Sequence, residues 1–585
     1  MGYVLLVLLF LTSCLIATDA TVAMLFSVQR HGARLLLPEN PYLNDSDAQG
    51  GPALLPQGQR QCYNAGLNYY SRYISNSTCG SSTPSTCLLR WFPSGSTGGN
   101  TYGVINTSGV GFNSYNTEIR SSGLDRTIQS AISFSSGIFN EPMNATSTSF
   151  LPLDQQVVPV FSDVDSNDDT IRAYTKCPTY DNILSNWYNS TEFLNKSAAT
   201  QSFRNNIAVQ LANFSAAAAA INTSLINWFN VFDAFNVWRT FGLGNPLPDI
   251  SAADYLTMTD LAYWLEISKM RSTFTGSLLG GVILTQLYQY TLATLSTMLN
   301  GRQGGSAQQA NATSPGLSYY QLIINSAHYN TQLGLMGAMG LDVYPQAVEA
   351  LATAYPGGSW LATGIYPSPN GVIPKLPTLA AVMVWELFVP SVIGNGTTPY
   401  AWSGDLSELA MRLVIQDGPD KNYTVVPMPC SANGDAAAQL AGPGACTIPN
   451  FLTFLESKMY TQAQWCTACA NTQVDYCSSL SYQIQLNQTL STCNSGGGHP
   501  TWAVMVAAVV SGVGMAIVCC TAFLLWNYRE QLFHKGQRGA LVMKGSSKGV
   551  QDEEMVPAAA KEHQTSVRKE ATGAPVSPHA VNLQI

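Results

Sequence analysis

The sequence predicts an α/β fold: a sheet core interrupted by a helical subdomain and followed by one membrane-spanning helix. Three observations carry this. Apolar, β-branched runs at Thr21–Val28, Tyr319–Ser326 and Ala380–Val389 read as strands. Between the first two, roughly Tyr180–Asn300 is rich in Ala, Leu, Asn and aromatics, with proline only in GNPLP at 244–248, and reads as several helices. Near the end, Ala503–Trp526 is apolar, free of charge and long enough for a bilayer of ~30 Å.

In chain order, residues 1–20 read as a secretory signal peptide. Val4–Leu11 is apolar, mostly small residues follow, and cleavage is expected near Ala17 or Ala20. The n-region lacks a positive residue, which leaves a signal anchor as the alternative. Residues 21–165 are the first part of the core. There the first strand delivers Arg30 and His31 to a loop, the Ser/Gly-rich Gly80–Ser114 is irregular surface, and 123–138 is a helix. Residues 166–310 are the mainly helical subdomain, in which the run Ala216–Ala220 favours helix. Ser277–Leu299 also lacks charge but carries Gln286, Gln289 and several Ser, Thr and Tyr, so it reads as a helix buried in protein. Residues 311–460 return to the core, and 461–502 are a Cys-containing juxtamembrane segment. Residues 503–526 are the transmembrane helix, with Trp502 and Trp526 at its ends and Arg529, Lys535 and Arg538 beyond. Residues 527–585 read as a disordered cytoplasmic tail. Together these predict a single-pass type I protein of the plasma or endosomal–lysosomal membrane, its folded part extracellular or lumenal.

Composition fits that placement. Charged residues are 11% of the chain, against roughly a quarter in ordinary soluble domains. Acceptors of the form Asn-x-Ser/Thr stand at Asn44, Asn76, Asn106, Asn144, Asn189, Asn195, Asn213, Asn222, Asn311, Asn395, Asn422 and Asn487, and glycans there would supply solubility. Of thirteen cysteines, Cys14, Cys519 and Cys520 lie in the apolar end segments, leaving an even number for disulfides. WCTAC at Trp465–Cys469 has redox spacing, but so late in the chain it reads as structural. The net charge of −8, with no basic stripe, excludes nucleic acid as a partner.

The chemistry concentrates in three short blocks. SVQRHGAR, Ser27–Arg34, sets two arginines around His31 at a strand end; guanidinium forks match phosphate oxygens, and Gly32 allows close backbone approach. A surface turn with scattered basic residues is the alternative on spacing alone. The others are IRSSGLDRT, Ile119–Thr127, and SAHYNTQLG, Ser326–Gly334, which contains His328. In α/β sheets, sites gather at the carboxyl ends of strands.

QRHGAR resembles the R-H-G-x-R signature of the histidine acid phosphatases, the branch that contains prostatic and lysosomal acid phosphatase. IRSSGLDRT is similar to that family's second arginine block and SAHYNTQLG to its distal block; milder likenesses at 176–184, 384–389 and 448–455 extend over most of residues 22–460. The resemblance implies a mixed-sheet histidine-phosphatase core with a helical subdomain over the site. It implies a metal-independent acid phosphatase with no cofactor, hydrolysing phosphate monoesters through a phosphohistidine. His31 would be the nucleophile, Arg30, Arg34 and Arg120 would bind phosphate, and His328 would complete the pocket. Tyr329 stands where the family usually has its general-acid Asp, so its role is open; Glu386 and Asp125 are other candidates for the acid. A homodimer is a candidate assembly. Two further functions stay in view: a catalytically weakened receptor for a phosphorylated ligand, motivated by Tyr329, and a glycosylated adhesion protein.

Overall fold

The computed structural model describes residues 20–35, 52–75, 86–88, 112, 117–140, 157–216, 218–242, 246–270, 272–302, 320–341, 376–390, 403–431 and 436–495. The chain divides into two compact units, Met1–Ser481 and Tyr482–Ile585; the sheet and the site belong to the first. The strands are β1 (Ala20–Arg30), β2 (Thr117–Ser121), β3 (Phe161–Ser162), β4 (Leu322–Ala327), β5 (Val382–Pro390), β6 (Ala410–Gln416), β7 (Tyr423–Val426) and β8 (Cys446–Thr447). They lie in the order β3-β2-β4-β1-β5-β6-β7, with β8 on β6. β1 runs parallel to β4, with Arg30 opposite Ala327, and antiparallel to β5. The sheet is therefore mixed, and β1, β2 and β4 deliver their carboxyl ends to one edge.

β1 is buried along its whole length because both faces of the sheet are covered. Val22 and Leu25 pack with Cys62, Ala65, Tyr69 and Phe134 on one face, from helices α1 (Pro56–Tyr73) and α2 (Asp125–Ile138). Met24, Phe26 and Val28 face a larger core on the other. That core is built by α3 (Pro178–Tyr188), α4 (Thr191–Phe214), α5 (Trp228–Phe241), α6 (Ala252–Ser268), α7 (Thr273–Arg302) and α8 (Tyr329–Met339). The charge-free stretch at 277–299 lies inside α7, where Leu278, Ile283, Leu284 and Leu287 are buried in protein. α7 meets α8 at glycine: a Cβ on Gly276 would sit 2.1 Å from the Ala338 nitrogen.

Several expectations change. No helix among the described residues is long and apolar enough to cross a membrane. The expected C-terminal transmembrane helix, the signal peptide, the membrane anchor as a partner, membrane-bound function and the type I plasma or endosomal–lysosomal location are corrected accordingly. The charge-poor stretch 277–299, read from sequence as a helix buried in protein, is buried over most of its length in α7. Segments 1–19 and 503–526 lie outside the described residues, and Ala20, placed in the expected leader, already belongs to β1. The alanine run does not extend a helix: α4 stops at Phe214, and only Ala218–Ala220 forms a single 3-10 turn. The WCTAC cysteines are structural, as expected: Cys469 bonds Cys177, far away in sequence, while Cys466 bonds Cys477 and Cys430 bonds Cys446 as local staples.

Candidate active site

β1 ends at Arg30, and His31 follows at once. The His31 N–H donates to the Ala327 carbonyl of β4 at 3.0 Å, and the His31 carbonyl accepts from the Ala380 N–H at 3.1 Å. The backbone is thus clamped between β4 and the turn into β5. The next residue must be small, since a Cβ on Gly32 would lie 2.2 Å from the Gly58 carbonyl oxygen of α1. Gly32 N–H donates to Ser130 Oγ of α2 at 3.1 Å, which fixes the loop against that helix.

His31 is buried, and its Nδ1 lies 2.8 Å from the Gly32 carbonyl oxygen. A carbonyl only accepts, so Nδ1 carries the proton and Nε2 keeps a free lone pair. Burial first, then the charges of Arg126, Arg30 and Arg34, hold the His31 pKa well below the ordinary 6.5.

His328 precedes α8, and its ring centroid lies 5.4 Å from that of His31, edge to face. His328 Nε2 is 2.9 Å from Ser122 Oγ, which is 2.7 Å from Thr127 Oγ1. Thr127 can donate its one proton to the Leu124 carbonyl at 2.7 Å. Ser122 then donates to Thr127, and His328 Nε2–H to Ser122. In that arrangement a neutral His328 has Nδ1 free. Burial, Arg126 and His31 hold its pKa below 6.5 as well.

The arginines divide. Arg30 donates to the Pro377 carbonyl and stands 5.0 Å from the centre of the Tyr329 ring. Burial, then Arg34, lower its pKa to about 10, so it stays charged below neutral pH. Arg34 forms a buried, bidentate pair with Asp233 of α5 at 2.9 and 3.2 Å. Arg120 does not join them. Its side chain is 28% exposed and pairs with Asp163 at 3.1 Å and, more loosely, with Glu118 at 4.0 Å. The residue missed in the sequence is Arg126, in the first turn of α2, buried, and the charge that most depresses both histidines. Its signal was there: the short connection Ser122–Leu124 after the strand Thr117–Ser121 puts it at the strand's carboxyl end, where sites gather. Arg172, also buried, adds to the charge felt by His328.

Tyr329 opens α8, but its hydroxyl donates to Glu266 Oε2 of α6 at 3.0 Å. Glu266 in turn holds Lys269 Nζ at 2.6 Å, and all three residues are buried. Burial and Glu266 keep the phenol well above its ordinary pKa of 10, Arg30 opposing only in part. Glu386 is a sheet residue opposite Leu25, bound by Arg72, Tyr73 and Arg412. Asp125 is exposed in the first turn of α2.

Beyond Arg30 and Arg34 opens a cavity of about 190 Å³, bounded by α5, Tyr263 of α6 and Leu376–Leu379. Among the described residues, no three His, Cys, Asp or Glu side chains are grouped to hold a metal ion.

The family described as the histidine phosphatase superfamily (branch 2) matches residues 40–350, more than half of the chain. Solved structures with similarity include the Klebsiella sp ASR1 phytase, 13% identical, covering 76% of this chain and 97% of that one with a TM-score of 0.43. The Hafnia alvei phytase in its apo form is 11% identical, covering 77% and 98%, with a TM-score of 0.43. The Bifidobacterium longum multiple inositol polyphosphate phosphatase complex with inositol hexasulfate is 12% identical, covering 76% and 94%, with a TM-score of 0.38. No curated protein matches the chain.

Proposed function

Because the chain belongs to the histidine phosphatase superfamily, branch 2, and has that superfamily's catalytic fold, we propose that it hydrolyses phosphate monoesters through a phosphohistidine at His31. One observation supports this most: a buried imidazole whose Nδ1 faces the Gly32 carbonyl, leaving Nε2 for attack, beside a second histidine and among buried arginines. His31 Nε2 attacks phosphorus, forming a P–N bond as the ester P–O bond breaks and the alcohol oxygen leaves. Water then attacks the phosphohistidine; the P–N bond breaks, its electron pair returns to Nε2, and inorganic phosphate departs. Arg30 and Arg34, with Arg126 in the place first given to Arg120, face the charge on the transferring group. His328, beside His31 and hydrogen-bonded through Nε2 to Ser122, lines the pocket that receives the phosphoryl group. Within the superfamily, the acid phosphatase branch is the finer reading, supported by QRHGAR and SAHYNTQLG.

The test is hydrolysis of p-nitrophenyl phosphate and acid-labile labelling from a radioactive phosphoester. Both are expected in the native chain and absent in His31→Ala. Labelling that survives His31→Ala removes the assignment. The hydrogen bond from Tyr329 to Glu266 favours a second reading, a phospholigand receptor with slow turnover. That reading predicts tight anion binding with negligible hydrolysis even of the activated ester.

A further inference from the structure

We propose that this site takes esters bearing a single phosphate on an apolar alkyl or aryl alcohol, because the cavity next to Arg30 and Arg34 is walled mainly by hydrocarbon. The inference rests on the phosphomonoesterase reading and deepens it. Arg30 and Arg34 line the cavity, and the proposal assigns the phosphate to them. Its other walls include Phe229, Phe232, Val237, Phe241 and Leu376, with Phe232 and Tyr263 meeting edge to face at 5.8 Å between ring centres. At about 190 Å³, the space exceeds the ~150 Å³ of apolar cavities that accept benzene. It can therefore house a ring or a short chain.

A second phosphate would find no further cation among the described lining residues, only the neutral Asn236, Tyr263 and Thr378 side chains. Among the described lining residues, the only charged groups are the two arginines and Asp233. The arginines serve the phosphate being transferred. Asp233 has the wrong sign for another anion, and both of its oxygens already face Arg34. Seating a phosphate against the phenylalanine walls would strip it of water without replacing the lost hydrogen bonds. A hydrocarbon group gains from the same transfer, about fourfold in affinity for each buried methylene.

The experiment measures kcat/KM of the full chain for butyl phosphate, hexyl phosphate, glycerol 3-phosphate and inositol hexakisphosphate. Butyl and hexyl esters have nearly equal leaving-group basicity, so their ratio reads the cavity and not proton donation. Hexyl phosphate is expected to exceed butyl phosphate about fifteenfold, with glycerol phosphate and the hexakisphosphate below both. Phe232→Ala should shrink the hexyl-to-butyl ratio. Asn236→Lys, on a partly exposed rim position, should move preference toward the hexakisphosphate. A hexyl-to-butyl ratio near one, or a hexakisphosphate turned over faster than hexyl phosphate, overturns the proposal. Failure of the phosphomonoesterase reading looks different, because then p-nitrophenyl phosphate is not hydrolysed either. In that event the Kd of hexylphosphonate against butylphosphonate still reads the cavity, and equal values sink the inference.

Discussion

Exchanging Arg126 and Arg120 for alanine, one at a time, separates the arginine the structure places at the histidines from the one that sequence spacing favours. Arg126 is 7% exposed and is the charge that most lowers both His31 and His328. A buried donor aimed at a developing oxyanion is worth ~3–4 kcal/mol, or roughly 10²–10³ in kcat. Arg126→Ala should lose about that much on p-nitrophenyl phosphate. Removing its charge should also let the His31 pKa climb, shifting the acid limb of the kcat/KM profile to higher pH. Arg120 is 28% exposed and its partner Asp163 is 51% exposed. Such a pair contributes about 0–1 kcal/mol, so Arg120→Ala should cost no more than roughly fivefold. Steady-state kinetics from pH 4 to 8 on both variants, with circular dichroism to establish folding, decide the matter. A larger loss in Arg120→Ala, or an Arg126→Ala enzyme within a few-fold of native, would refute the reasoning.

Two further outcomes follow from the same side chains. Since the Tyr329 proton is directed at Glu266, log(kcat/KM) should fall steeply with leaving-group pKa, and Tyr329→Phe should leave that slope unchanged; a slope that steepens selectively in the variant would make Tyr329 the acid after all. Stability should fall as pH drops below 6.5, because His31 and His328 are held below that value in the folded protein and the unfolded chain takes up those protons first. Asp168, raised by burial from 3.8 to about 6, acts oppositely: its contribution is full below 3.8 and lost as pH rises through 6. His328→Gln should therefore flatten the dependence of the urea midpoint on pH, and Asp168→Asn should steepen it between pH 4 and 6; an unchanged slope in His328→Gln counts against the depressed histidine.

The strands and the identity of the two histidines were legible because each leaves a local mark. Val22, Leu25, Phe26 and Val28 must serve two cores at once, which writes an unbroken apolar run into the sequence. His31 and His328 come directly after such runs, and the parallel register of β1 and β4 then sets them side by side. Arg120 and Arg126 were harder to tell apart. Both lie in one short block, and what separates them is direction: Arg120 is on a half-buried strand position, Arg126 on the inward side of a helix start. For the charge-poor stretch 277–299, the polar Gln286, Gln289 and its Ser, Thr and Tyr residues separated burial in protein from burial in lipid, and the packing of α7 against α8 agrees.

The acid question shows what a single substituted position conceals. Tyr329 at a position expected to hold a carboxylic acid suggests a missing proton donor, and local sequence offers no replacement nearby. The fold does bring a carboxylate to the place, but from Glu266, more than sixty residues earlier in the chain. That carboxylate cannot simply substitute, because Lys269 at 2.6 Å and the Tyr329 hydroxyl at 3.0 Å already occupy it. Both of its oxygens therefore act as acceptors. The trio orients the Tyr329 ring under the Arg30 guanidinium, 5.0 Å from the ring centre. On the proposed function, proton delivery to the departing alcohol would then fall to water or to the substrate itself, and esters whose alcohols leave without help are expected to be turned over fastest.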